Sequence, residues 1–142
     1  MYRSKNYNFN KFVVLNYKKQ FMKEEYNVKD LVNEVFNIIE EKKGNNIVII
    51  KFTPEITTLC DYFIIADAES DRQLKAIAES IRRTIKTKFH VNPVHIEGMD
   101  NSQWIVLDYL DIIVHLFASE MREFYSLEQL WADAKQYNKP IK

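Results

Sequence analysis

The chain has 142 residues, 46% hydrophobic and 28% charged, with two glycines and three prolines. That is the size and balance of one globular domain, and it excludes collagen-like and linker-like chains. Cys60 is the only cysteine, so an internal disulfide is impossible; no Cys/His cluster has zinc spacing, and a reducing, cytoplasmic setting is expected. No apolar run approaches the ~20 residues of a membrane-spanning helix, so no membrane association is expected. The formal net charge of zero hides an asymmetry. Residues 1–22 carry Arg3, Lys5, Lys11, Lys18 and Lys19 and no acid, which leaves 15 basic and 20 acidic groups, net −5, in residues 23–142. An acidic domain is a poor general binder of nucleic acid, whose phosphates need Lys and Arg, and it suits a basic protein partner better.

Residues 1–22 show no helical or strand period. They are expected to be a disordered or mis-annotated extension, with Met22 as the alternative start. The domain is expected over 23–135, with 136–142 as a short tail. Val28, Leu31, Val32, Val35, Ile38 and Ile39 recur at three- and four-residue steps and predict a helix, capped by Asn27 and stopped by a left-handed Gly44. Ile47–Ile50 reads as a strand buried on both faces, closed by Pro54, and a loop through Thr57 and Thr58 leads to a second apolar strand, Tyr62–Ala66. Ser70 opens the next helix as a capping box with Gln73, and Leu74, Ile77, Ala78, Ile81 and Ile85 form its apolar stripe. Its other face carries Arg72, Lys75, Arg82, Arg83 and Lys86, a pattern that is commonly a solvated surface, with RNA contact as the sharper alternative. A short strand, Val94–Ile96, precedes Glu97-Gly98 and a long strand pattern from Trp104 to Phe117. Ser119 and Ser126 read as caps of two short helices, the second boxed by Gln129. This order implies an α/β domain with a mixed sheet of about five strands flanked by helices.

The segment 104–117 folds on paper as a hairpin. With Tyr109-Leu110 as a two-residue turn, Asp108 faces Asp111, Val106 faces Ile113 and Trp104 faces His115. One sheet face is then Ile105, Leu107, Ile112, Val114 and Leu116, wholly aliphatic and therefore core. The other face is Trp104, Val106, Asp108, Asp111, Ile113, His115 and Phe117. A mixed aromatic, imidazole and carboxylate face reads either as a recognition patch or as ordinary cross-strand packing. The turn asks for a positive φ at Leu110, which costs about 1–2 kcal/mol for a residue with a Cβ. A wider turn would relieve this and shift the pairing.

Five blocks together resemble the ribosomal silencing factor (Iojap-like) family: Asp61-Tyr-Phe-Ile-Ile-Ala66; Glu97-Gly98; Trp104-Ile-Val-Leu-Asp108-Tyr109; Asp111-Ile-Ile-Val-His115; and Arg122-Glu-Phe-Tyr125-Ser-Leu-Glu128-Gln-Leu-Trp131. The resemblance implies a fold similar to nucleotidyltransferases without their catalytic residues. It also implies binding to the large ribosomal subunit through ribosomal protein fourteen, which blocks subunit joining and represses translation when nutrients are scarce. Partner-binding residues carried over are Trp104, Leu107, Asp108, Tyr109 and His115, although the paper hairpin buries Leu107. A homodimer in the free state is also implied, and no cofactor is expected. Two departures stand out: Leu110 replaces the family's Gly, and Asp67-Ala68-Glu69-Ser70 replaces a Gly-containing turn.

The competing class is a metal-dependent nucleotidyltransferase-like enzyme, which needs converging carboxylates and a phosphate cradle. No Gly-Ser pair is present, and Asp108 and Asp111 converge only across a turn. A thiol–imidazole pair of Cys60 with His95 or His115 has no support in the spacing, and a small buried cysteine is the commoner state.

Overall fold

A computed structural model describes residues 26–142; the expectations for residues 1–22 lie outside the described residues. The elements are α1 (Val28–Glu41), β1 (Asn45–Lys51), β2 (Tyr62–Ala68), α2 (Asp71–Phe89), β3 (His95–Glu97), β4 (Trp104–Asp108), β5 (Ile112–Ala118), α3 (Ser119–Tyr125), α4 (Leu127–Leu130) and β6 (Lys135–Tyr137). One six-stranded sheet has the order β3-β4-β5-β2-β1-β6. Its central pair, β2 and β5, is parallel, and the other pairings are antiparallel. The single α/β domain with a mixed sheet is as expected, with one strand more than the five read from sequence.

Both faces of the sheet are covered, so β2 and β5 are buried along their whole length. Alternation sends neighbouring residues to different cores. Ile49, Ile64, Ile105, Leu107, Ile112, Val114 and Leu116 face α1 and α2. Ile50, Phe63, Ile65, Val106, Ile113 and Phe117 face the side closed by Leu127 and Trp131. The aliphatic hairpin face is therefore core, as its composition requires.

Local chemistry explains the element ends. Asn27 Oδ1 accepts the Lys29 N–H at 2.8 Å and caps α1. The left-handed stop falls on Lys43 (φ 66°), one residue before the expected Gly44. Gly44 is needed for space instead, since a Cβ there would lie 2.4 Å from Ile39 Cγ2. Ser70 Oγ accepts the Gln73 N–H at 3.2 Å, which is the cap half of the expected box. The Gln73 amide reaches the carbonyls of Lys42 and Lys43 at 3.3 and 2.9 Å and ties α2 to the end of α1. Ser126 holds the expected N-cap position of α4 but makes no side-chain cap bond, and Ser119 is the first residue of α3 rather than its cap. Ser119 Oγ donates to Asp67 Oδ1 at 3.1 Å, while Ser126 is left-handed (φ 43°) and its hydroxyl donates to the Glu123 carbonyl.

Residues 136–142, expected as a tail, complete the structure. Tyr137 pairs with Ile49 at the sheet edge, and the Asn33 amide bonds the Ile141 backbone twice, at 2.7 and 2.8 Å. The hairpin register also differs from the paper version. Trp104 faces Phe117, Val106 faces His115 and Asp108 faces Ile113, two residues on from the tight-turn pairing. The turn is the wider one, spanning Tyr109 to Asp111, yet Leu110 still has a positive φ of 73°. An even shift leaves every side chain on its expected face.

Leu110 is thus strained in its backbone and buried in its side chain, 2% exposed. Leu110→Ala should cost about 2–5 kcal/mol through lost burial while keeping the strain. Leu110→Gly loses the same side chain but relieves the left-handed φ. Urea unfolding should therefore rank Leu110→Gly above Leu110→Ala by about 1 kcal/mol, the reverse of the usual order of these two residues.

Candidate functional surface

On the sheet face opposite α1 and α2, aromatic rings run from the core to solvent. The His115 ring lies edge-on to Phe63 at 4.4 Å between centroids. Trp104, half-buried at the start of β4, stacks on Phe117 at 5.0 Å and meets Tyr125 at 4.5 Å. Tyr125 meets Phe124 edge-on at 5.1 Å, and Phe124 is 75% exposed, an unusual state for a large apolar side chain.

The Trp104 indole is held in direction by a hydrogen bond, Nε1–H to His115 Nδ1, at 3.1 Å. Because an indole nitrogen only donates, His115 Nδ1 is the acceptor and carries no proton in this arrangement. Beside the indole lies a cleft of about 290 Å³ lined by Glu97, Gly98, Asn101, Gln103, Trp104 and Tyr125. Gly98 has a φ of 85°, and a Cβ there would sit 1.8 Å from the Trp104 carbonyl oxygen. The close approach of these two backbones shapes the cleft, and only glycine permits it.

Of the five residues carried over from the resemblance, Trp104 and His115 are in contact and Trp104 alone reaches the surface. Leu107 lies in the α1/α2 core, as the paper hairpin had it. Asp108, expected to contact the partner, is fully buried: its Oδ1 accepts the Leu110 N–H at 2.8 Å and fixes the turn. Tyr109 is buried in the α1/α2 core, its hydroxyl has no hydrogen-bond partner among the described residues, and burial pushes its phenol well above the ordinary value despite nearby Arg82. His115 is also fully buried.

Sequence reasoning missed two features. The first is the exposed end of the aromatic run, Phe124 and Tyr125. The second is a nearly buried ion network: Arg122 Nη1 donates to Asp67 Oδ2 at 2.9 Å, Nη2 to the Asn46 carbonyl at 2.7 Å, and Nε to Glu128 Oε1 at 2.5 Å. It lies at the carboxyl ends of the parallel strands β2 and β5, where α2 leaves toward one face and α3 toward the other. Open α/β sheets bind ligands at such a switch point. Here Arg122 reaches across it to Asp67. A carboxylate inside the otherwise apolar strand Tyr62–Ala68 was the available signal, because a buried charge must be paired.

Asp108 is committed to the turn backbone. Among the described residues no group of three or more His, Cys, Asp or Glu side chains is placed to hold a metal ion. Cys60 is buried and packed in the second core. No helix among the described residues is long and apolar enough to cross a membrane.

Fold and surface together describe an α/β domain with a run of aromatic rings that ends at an exposed Phe124. The family profile "Ribosomal silencing factor during starvation" matches residues 25–142. The ribosomal silencing factor of Bacillus subtilis is 32% identical over 111 residues, 76% of this chain and 90% of its own length. The mouse protein named "Mitochondrial assembly of ribosomal large subunit protein 1" is 31% identical over 102 residues, 70% of this chain and 44% of its own. A crystal structure of a Chromobacterium violaceum protein superposes with a TM-score of 0.71 at 26% identity, covering 82% of this chain and 95% of the other. The chain belongs to the ribosomal silencing factor family, as the five sequence blocks imply.

Two substitutions test how the surface is supported. Asp108→Asn keeps an oxygen acceptor for the Leu110 N–H and should leave the thermal midpoint within a few degrees, whereas Asp108→Lys buries an unpaired cation and should abolish cooperative unfolding. Arg122→Ala leaves Asp67 buried without its cation and should cost about 3–5 kcal/mol in urea unfolding.

Proposed function

We propose that this protein docks on the large ribosomal subunit through ribosomal protein fourteen and, by occupying that site, sterically prevents joining of the small subunit, so that translation falls when nutrients are limiting. The observation that carries the reading is the aromatic run ending at Trp104, Tyr125 and the exposed Phe124. Rigid aromatic anchors dominate binding energy at protein interfaces. The names of the relatives, silencing factors and a large-subunit assembly protein, support the same partner class.

In this reading Trp104 makes the direct contact, joined by Phe124 and Tyr125. His115, Asp108, Tyr109 and Leu107 act from behind: His115 aims the indole, Asp108 fixes the turn, and Tyr109 and Leu107 anchor the hairpin in the core. Exposed Glu97, Glu120 and Glu123 border the aromatics, and this acidic rim, with the net −5 of residues 23–142, favours a basic ribosomal protein and speeds association at low salt. The work is done by occupation, without a chemical step or a cofactor, in the cytoplasm where subunits join.

Co-sedimentation with purified large subunits tests the proposal. Trp104→Ala should weaken binding by about 30-fold or more, the equivalent of 2 kcal/mol, and should restore subunit joining in sucrose gradients. A variant that co-sediments like the wild type, or wild-type binding that persists on subunits lacking protein fourteen, would overturn it.

A further inference from the structure

The net acidity of residues 23–142 conceals one strongly cationic surface. Along α2, Arg72, Lys75, Arg82, Arg83 and Lys86 are all exposed. At 3.6 residues per turn they fall within an arc of about 100°, and the stripe is about 21 Å long. Glu79 lies within this arc and pairs with Arg82 at 2.8 Å, while Lys88 lies at least about 120° around the helix from it and pairs with Glu34 of α1 at 2.7 Å. Arg72, Lys75, Arg83 and Lys86 make no ion pair among the described residues. Within residues 23–142, which carry surplus acid, four aligned cations outside any ion pair form a surface complementary to a polyanion.

From this stripe we infer a second contact surface, one that binds the phosphate backbone of double-stranded RNA. The absence of any exposed aromatic side chain on α2 selects duplex over single strand, because single-stranded nucleic acid is held largely by stacking on such rings. Phosphate contacts from Lys and Arg carry no sequence information, so the contact is independent of sequence. Position adds a mechanical consequence. The apolar stripe of α2 packs on one face of the sheet, and Trp104 packs with the core on the other. The two surfaces point away from each other and can be occupied together, so a protein held at Trp104 would also grip RNA across its back. The docking reading supplies only the source of that RNA; the contact itself stands on the stripe.

The test is fluorescence anisotropy of a labelled RNA duplex of about 16 base pairs with the full chain. Four phosphate contacts give log affinity against log salt a slope of about −3.6, so a fourfold rise in salt should weaken binding on the order of 100-fold. Arg72→Glu combined with Arg83→Glu should roughly halve that slope and weaken binding at least about tenfold at low salt, with an unchanged circular dichroism spectrum. Lys135→Glu combined with Lys139→Glu, at the far sheet edge and the C-terminal segment, should leave both quantities as in the wild type. The inference is overturned if the full chain does not bind the duplex, if the α2 reversal leaves slope and affinity intact, or if both reversals weaken binding equally. Trp104-dependent co-sedimentation with large subunits is read separately, so either result can fail without the other.

Discussion

The parallel pairing of β2 with β5 is the constraint around which the molecule is arranged. Seven consecutive residue pairs, Tyr62 with Ile112 through Ala68 with Ala118, join the two strands. A parallel pair cannot be closed by a tight turn and needs a long crossover, so α2, β3 and β4 all lie between them in the chain. The pair sits in mid-sheet with helices on both sides, which explains why neither strand shows the alternation of a half-solvated strand. It also decides where polar chemistry can go. Side chains along the pair are buried, so exposed chemistry is pushed to the strand ends and to the neighbouring strand β4, where Trp104 sits.

Buried polar groups in this half of the fold hold geometry. Asp108 satisfies a backbone N–H in a turn that glycine would enter more easily. His115 gives the indole of Trp104 one preferred direction. Asp67 and Glu128 clamp Arg122, which ties the end of β2 to α3 and to the start of α4. Each is costly to bury alone and tolerable only with its partner. The outer aromatics rest on this polar frame as well as on apolar packing.

Much of this was legible in the sequence. The 3.6-residue period of α1 and α2, the caps at Asn27 and Ser70, and the two faces of the 104–117 hairpin follow from local rules and hold in the structure. The hairpin register was off by two residues because a positive φ at Leu110 is compatible with more than one turn length. The burial of Asp108 was hidden for a different reason. Alternation tells which residues share a face, but what covers that face depends on α3, α4 and Trp131, short elements with weak periodicity of their own. Ser126 misled because it holds the expected position with a strained left-handed φ, which turns its hydroxyl back to the Glu123 carbonyl and away from the helix N–H groups. The Arg122–Asp67 pair spans 55 residues, and no local pattern reports a contact at that separation.

Glycine usage has a consequence of its own. Six residues with a Cβ adopt positive φ among the described residues, at Lys43, Asn46, His90, Ser102, Leu110 and Ser126. At these six turns, helix ends and strand irregularities a residue with a Cβ bears the left-handed φ, at a strain of about 1–2 kcal/mol. Gly44 and Gly98 stand where an added carbon would meet atoms at 2.4 and 1.8 Å. Torsional strain is soft and can be spread over neighbours, whereas atomic overlap is hard and local. In a glycine-poor chain of this kind, the remaining glycines mark the places where segments touch, and one of those places is the wall of the cleft beside Trp104.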